Sequence, residues 1–131
     1  MPIRVLVAED DHPSLILLRI ILKGTGEFEV VTATDGEKAW KLLDAGPRFD
    51  LCIFDIMMPE LDGLQLAGRL RGDPRFHDQK IMLCTAVHDR STVEQAAALA
   101  IRHFVVKPYA REQVLTKVRA LCGEPRAAIP A

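Results

Sequence analysis

Three acids in a row, Glu9-Asp10-Asp11, follow the short apolar run Ile3-Arg4-Val5-Leu6-Val7-Ala8, and a lone Asp55 follows the run Leu51 to Phe54. Two further runs end on groups of another kind. Lys80 to Cys84 leads into Thr85-Ala86, and His103 to Val106 leads into Lys107-Pro108. Converging carboxylates repel one another and raise each other's pKa values, so such a cluster calls for a cation. Hard oxygen ligands with open positions suit Mg²⁺, which keeps waters and meets one or two carboxylates plus a phosphate. Lys107 adds a point positive charge, and Thr85 a hydroxyl donor for a phosphoryl oxygen. A carboxylate nucleophile, a divalent cation, an ammonium and a hydroxyl together meet the needs of phosphoryl transfer, which is mostly positioning and charge neutralisation.

The elements that must position these groups are legible as a pattern. The four apolar runs, with a fifth from Phe28 to Ala33, are short and nearly continuous, as expected for strands buried on both faces of a parallel sheet. Between and after them lie stretches of helical length and character, at about Ser14–Lys23, Gly36–Asp44, Leu64–Leu70, Ser91–Ala100 and Arg111–Leu121. This alternation predicts an α/β fold, a doubly wound five-stranded parallel sheet with five flanking helices. Gly24 and Gly26 punctuate the end of the first helix, Asp35-Gly36 starts the second and Gly46-Pro47 follows it. Ser91 is expected to cap the fourth helix, with Glu94 at the capping-box position. In open α/β sheets the ligand site lies at the carboxyl ends of the strands, which is where the acids, Thr85 and Lys107 fall. If the first and third strands are neighbours, their carboxylates converge.

Bulk properties narrow the alternatives. With 131 residues, 49% hydrophobic but only 5% aromatic, the chain has the material for one domain with an aliphatic core. Lys+Arg 17 against Asp+Glu 18 leaves a formal charge of -1, with no basic excess that would suggest direct contact with nucleic acid. Cys52, Cys84 and Cys122 show no CxxC spacing, which favours a reducing compartment over a disulfide or metal framework. The apolar stretch Leu15 to Leu22 is broken by Arg19 and too short to span a bilayer, and no signal-peptide pattern opens the chain. A cytoplasmic protein without membrane association is expected. The acidic loop after the first strand also argues against a nucleotide or flavin cradle, which needs glycines and backbone N–H groups.

Together these residues resemble the receiver domains of two-component response regulators, of the chemotaxis-regulator kind, over about residues 3 to 121. The marks are the acidic run, the stretch Asp55-Ile-Met-Met-Pro-Glu-Leu-Asp-Gly63, Thr85-Ala86, and Phe104-Val-Val-Lys107-Pro108. The resemblance implies a flavodoxin-like strand order 2-1-3-4-5. It makes Asp55 the phosphoacceptor, taking a phosphoryl group from a phosphohistidine on a histidine kinase or histidine phosphotransfer protein. Asp10 would be the direct ligand of Mg²⁺, Glu9 its partner through water, and Met57 would add its backbone carbonyl. Thr85 and Lys107 would hold the phosphoryl oxygens, and Phe104 would change rotamer as Thr85 moves. The Lys107–Pro108 peptide bond is expected to be cis. On this reading the chain is a phosphoacceptor switch that assists its own phosphoryl transfer and dephosphorylation, not an enzyme. It would signal to a downstream effector protein or a C-terminal output domain, and the family also allows a phosphorylation-dependent dimer.

Some features leave alternatives open. The metal pair could be Glu9/Asp10 or Asp10/Asp11; Asp10 belongs to both, and Pro13 at the helix start favours the first. Ala100-Ile101 stands where many receivers carry Gly-Ala. Met57 and Val87 border the expected phosphoryl site, and as apolar side chains neither can orient a water, which predicts slow self-dephosphorylation. In the first helix Leu15, Leu18, Ile21 and Leu22 share the face that should meet the sheet, leaving Ile16, Leu17 and Ile20 sideways or outward. Those three would either pack against the last helix or dock the phosphodonor. Residues 1–122 read as the receiver domain and 123–131 as a tail or the start of a linker. His12, His77, His88 and His103 show no metal-ligand spacing and read as surface residues.

Each mark alone has a blander reading: a solvated turn, a helix cap, a strand terminus. Only their joint placement in one crevice favours chemistry. Two rival functions remain. One is a phosphorylation-independent receiver-like interaction module, disfavoured by the full set of site residues. The other is an Asp-nucleophile phosphatase, disfavoured because Met57 stands where a second acid would be needed.

Overall fold

The computed structural model describes residues 2–86 and 89–123. They form β1 (Ile3–Ala8), α1 (His12–Lys23), β2 (Phe28–Ala33), α2 (Gly36–Ala45), β3 (Leu51–Asp55), α3 (Gly63–Arg71), β4 (Ile81–Thr85), α4 (Arg90–Ala98), β5 (Phe104–Val106) and α5 (Arg111–Gly123). All strands pair in parallel, in the order β2-β1-β3-β4-β5. The doubly wound sheet and its strand order are therefore as expected. β3 and β4 each reach one residue further than their apolar runs, so Asp55 and Thr85 are the last residues of their strands. The tail expected at 123–131 lies, beyond Gly123, outside the described residues, as do Val87 and His88.

Alternation of side chains across the pleat divides the core between the two faces of the sheet. Leu6, Cys52, Phe54, Ile81 and Leu83 pack with Ala39, Leu43, Leu66, Leu70 and Ala96 of α2, α3 and α4. Val5, Val7, Leu51, Ile53, Met82 and Cys84 pack on the other face with Leu15, Leu18, Ile21 and Leu22 of α1 and with Val114, Leu115, Val118 and Leu121 of α5. A side chain as fully buried as Leu6, Leu51 or Leu83 stabilises the fold by about 1.5–3 kcal/mol. Cys52 and Cys84 behave as the small buried hydrophobes their runs suggested; burial pushes both thiols up, that of Cys84 to about 12.

Helix starts share one device. Asp11, Asp35, Asp62 and Asp89 are the N-caps of α1 to α4, accepting backbone N–H bonds from Ser14, Lys38, Gln65 and Thr92. Each such cap is worth about 1 kcal/mol. The expectation for Ser91 is thereby corrected. Asp89 precedes it and caps the helix with a carboxylate, Ser91 Oγ accepts from Gln95, and Glu94 pairs with Arg90 at 2.9 Å. The capping box occurs instead in α3, where Asp62 and Gln65 satisfy each other's backbone N–H groups.

The end of α4 departs from the usual chemistry. Ile101 N–H donates to Ala96 O at 2.9 Å and Ala100 N–H to Ala97 O at 2.9 Å, a closing pattern that needs a left-handed residue between them. Ala100 supplies it with φ +59°, where a glycine would carry no Cβ penalty. Arg71 of α3 reinforces this corner by donating to Leu99 O at 2.7 Å and to Gln79 O at 2.8 Å.

Candidate functional site: an acidic crevice at the carboxyl ends of β1, β3, β4 and β5

Because β1 and β3 are neighbours, the acids that follow them meet. Glu9, Asp10 and Asp55 each offer an oxygen within 4.8 Å of the others, the one such group of three metal-ligating side chains among the described residues. Glu9 is 1% exposed and Asp55 2%, whereas Asp10 is open to solvent. Asp11 is not part of this cluster. Its carboxylate accepts both the backbone N–H and the hydroxyl of Ser14, and these two bonds hold it below the usual carboxylate range. The helix cap thus takes the third acid of the run, and the clustered acids are Glu9 and Asp10.

Lys107 reaches across from the end of β5. Its Nζ lies 2.8 Å from Glu9 Oε1 and 3.0 Å from Asp55 Oδ2. The peptide bond that follows it, to Pro108, is cis. Lys107 N–H donates to Thr85 O at 2.9 Å, tying the lysine to the end of β4, where Thr85 is 3% exposed. Burial opposes the charge on Lys107, but its hydrogen bonds to Glu9 and Asp55 outweigh that and leave its pKa raised. One ammonium cannot neutralise these carboxylates. Burial first, and then the neighbouring Glu9 carboxylate, push Asp55 up to about 7 against the pull of Lys107.

The loop after β3 is built around the Asp55 backbone. Gly63 N–H donates to Ile56 O at 3.1 Å, and a Cβ on Gly63 would stand 2.4 Å from Asp55 O, so only glycine lets α3 begin this close. Met57 N–H lies 3.4 Å from Asp55 Oδ1, while its side chain is 72% exposed beside the crevice. Phe104 opens β5 opposite Leu83 and sits half-buried against the α2–α3–α4 core.

Tyr109 is a member of the site that the residue pattern did not single out. Its hydroxyl donates to Glu9 Oε1 at 3.0 Å across 100 residues of sequence. Burial, followed by the Cys84 thiol and Glu9, keeps the phenol well above its ordinary range. Its place just after Lys107-Pro108 was the available signal. Of the described histidines, His12 is exposed on α1, and His77 and His103 are half-buried.

The donor set is suited to a hard cation. It consists of carboxylate oxygens only, two buried and one solvent-facing, with more negative charge than Lys107 balances. Such a set fits Mg²⁺.

Comparison with known proteins identifies the family and the fold. The response regulator receiver domain model matches residues 5–119. The chain is 31% identical over 121 residues to the protein named "Probable chemotaxis protein CheY" of Rhizobium etli, covering 92% of this chain and 93% of that one. It is 38% identical over 125 residues to the response regulator MprA of Mycolicibacterium vanbaalenii, of which it spans 51%. The structure of the chemotaxis protein CheY4 of Vibrio cholerae superposes with a TM-score of 0.86 at 24% identity, covering 92% of this chain and 99% of that one, and attests the fold. The chain belongs to the receiver domain family of two-component response regulators, whose members are phosphoacceptor switches.

Proposed function

We propose that Asp55 is the phosphoacceptor of this receiver and that Glu9 and Asp10 complete its Mg²⁺ site. The observation that carries the reading is the convergence of Glu9, Asp10 and Asp55 on the single ammonium of Lys107. An Asp55 carboxylate oxygen attacks the phosphorus of a phosphohistidine. The new O–P bond forms as the P–N bond breaks, and the imidazole leaves with the electron pair. Mg²⁺ held by Glu9, Asp10, Asp55 and the Met57 carbonyl would supply the neutralising charge for the phosphoryl oxygens. Lys107 exchanges Asp55 for a phosphoryl oxygen, and the Thr85 hydroxyl donates to another. The rearrangement at Thr85 biases the packing of Phe104, and with it the α4–β5–α5 surface, toward a second state.

The test is intact-mass measurement after acetyl phosphate, with Mg²⁺ or with EDTA, on the wild type and on Asp55→Asn. One Mg²⁺-dependent phosphoryl adduct is expected, absent in the variant; an adduct that survives Asp55→Asn refutes the assignment. Followed over time, the adduct should outlive seconds, because the apolar Met57 offers no group to orient a hydrolytic water. Met57 stands where an Asp-nucleophile phosphatase would place its second acid, so turnover as a phosphatase is not favoured.

The donor is a histidine kinase or histidine phosphotransfer protein, and the output is protein binding, by a separate effector or an adjoining domain, in the cytoplasm. The receiver unit is taken as residues 1–122. α1 provides the docking surface: Ile16, Leu17 and Ile20 are 43%, 40% and 62% exposed, while Leu15, Leu18, Ile21 and Leu22 are buried as the helical phase requires. Ile20→Glu should slow transfer from a phosphorylated kinase while leaving acetyl phosphate labelling intact. Unchanged transfer would remove α1 from the docking surface.

A further inference from the structure

The two buried carboxylates of the crevice are held differently. Asp55 has Lys107 on Oδ2 at 3.0 Å, a long contact from Met57 N–H to Oδ1 at 3.4 Å, and the Glu9 carboxylate beside it. Glu9 has two donors on one oxygen: Lys107 Nζ at 2.8 Å and the Tyr109 hydroxyl at 3.0 Å, both on Oε1. Its Oε2 meets Asp11 N–H at 3.5 Å, at the edge of hydrogen-bonding range. Tyr109 itself has little freedom. It is 8% exposed, and its ring belongs to the α1–α5 core cluster with Val7, Ile53 and Cys84. Its hydroxyl also meets the Cys84 thiol, so the phenol is held between the core and Glu9.

We propose that Tyr109 is a positioning residue for the cation site: its hydroxyl fixes one oxygen of Glu9 and leaves the other to serve the metal. The inference rests on reading Glu9, Asp10 and Asp55 as that site. Its physical basis is that a carboxylate serving a metal binds better when a second donor has already chosen its rotamer. Tyr109 also takes part of Glu9's demand for a donor, which keeps Lys107 shared with Asp55. Without the hydroxyl, Glu9 Oε1 keeps Lys107 alone of these two donors, and the carboxylate can swing with it.

The experiment is calorimetric titration of Mg²⁺ into the full chain for the wild type, Tyr109→Phe, Glu9→Gln and the double variant. Tyr109→Phe keeps the ring and removes one oxygen; it should weaken Mg²⁺ binding about tenfold. In the Glu9→Gln background the same change should have almost no further effect, because Tyr109 acts through Glu9. An unchanged Kd in Tyr109→Phe, or an equal loss in both backgrounds, would overturn the proposal. Cys84→Ala removes the hydroxyl's other neighbour and should leave the Kd unchanged; a tenfold loss there would assign the effect to packing and overturn it as well. A wild type that binds no Mg²⁺ would refute the cation site itself, an outcome distinct from an unchanged Tyr109→Phe.

Discussion

At the amino end of β3, Asp50 is exposed and its carboxylate accepts the backbone N–H of Arg4 at 2.8 Å. At the carboxyl end of the same strand, Asp55 is 2% exposed and shares Lys107 with Glu9. Around Asp50 the charges are paired individually and in reach of water: Arg4 with Glu29 at 3.0 Å, Arg48 with Asp78 at 3.1 Å, Arg119 with Glu27 at 2.6 Å. Around Asp55 the carboxylates outnumber the cations and water is largely excluded. Pairs of the first kind contribute little and are screened by salt. Groups of the second kind hold their charge at a cost, and that cost is released when a cation arrives. Electrostatic strain in this molecule thus follows burial and charge imbalance rather than residue type.

The contrast is sharpest at Lys107. In metal-free buffer Lys107→Met leaves Glu9 and Asp55 buried without a cation and should cost about 3 kcal/mol, the lower end of the usual range because the lysine is partly exposed. Arg48→Met, at the other end of the sheet, should change stability little. Urea denaturation of the two variants measures both, and equal losses would break the comparison.

A smaller effect of opposite sign is expected at Asp55. Its folded-state pKa lies near 7, above the ordinary 3.8, so between these values the folded chain binds more protons than the unfolded one. Stability from this group is therefore full below about pH 4 and is lost as pH rises through about 7. Asp55→Asn cannot titrate. It should melt roughly 3–6 °C higher than the wild type at about pH 8 without metal, with the gap narrowing toward pH 5. Melting curves across that range in EDTA provide the check, and a constant gap would mean that Asp55 is not the strained group.

The smallest effect probes the backbone. The amino end of the sheet, though electrostatically quiet, contains Ala100 at φ +59° in the turn between α4 and β5. Ala100→Gly should stabilise the chain by about 1 kcal/mol, less the entropy that glycine adds to the unfolded state. Because this strain lies away from the crevice, Mg²⁺ affinity should not change. A change in affinity would show that the two ends are coupled through β5.

Much of this was legible in the chain. The apolar runs marked every strand within one residue, and the Leu15, Leu18, Ile21, Leu22 stripe identified the buried face of α1, because these periodicities are local. Capping was legible only in part. Asp35 follows a clear boundary, but around α4 Asp89 and Ser91 compete two residues apart, and the earlier carboxylate is the cap. The acidic triplet posed the same problem, since each of its members could serve a helix or a site.

By itself the sequence determined the alternation of strands and helices and placed Asp55, Thr85 and Lys107 at strand ends, because hydrophobic period and strand length are properties of short segments. The tertiary structure alone decided how those ends are used. It assigned Asp11 to Ser14, set Lys107 between Glu9 and Asp55, and brought Tyr109 onto Glu9. These contacts join residues far apart in the chain, and their distances depend on the order β2-β1-β3-β4-β5 and on which side chains the closed core leaves room for.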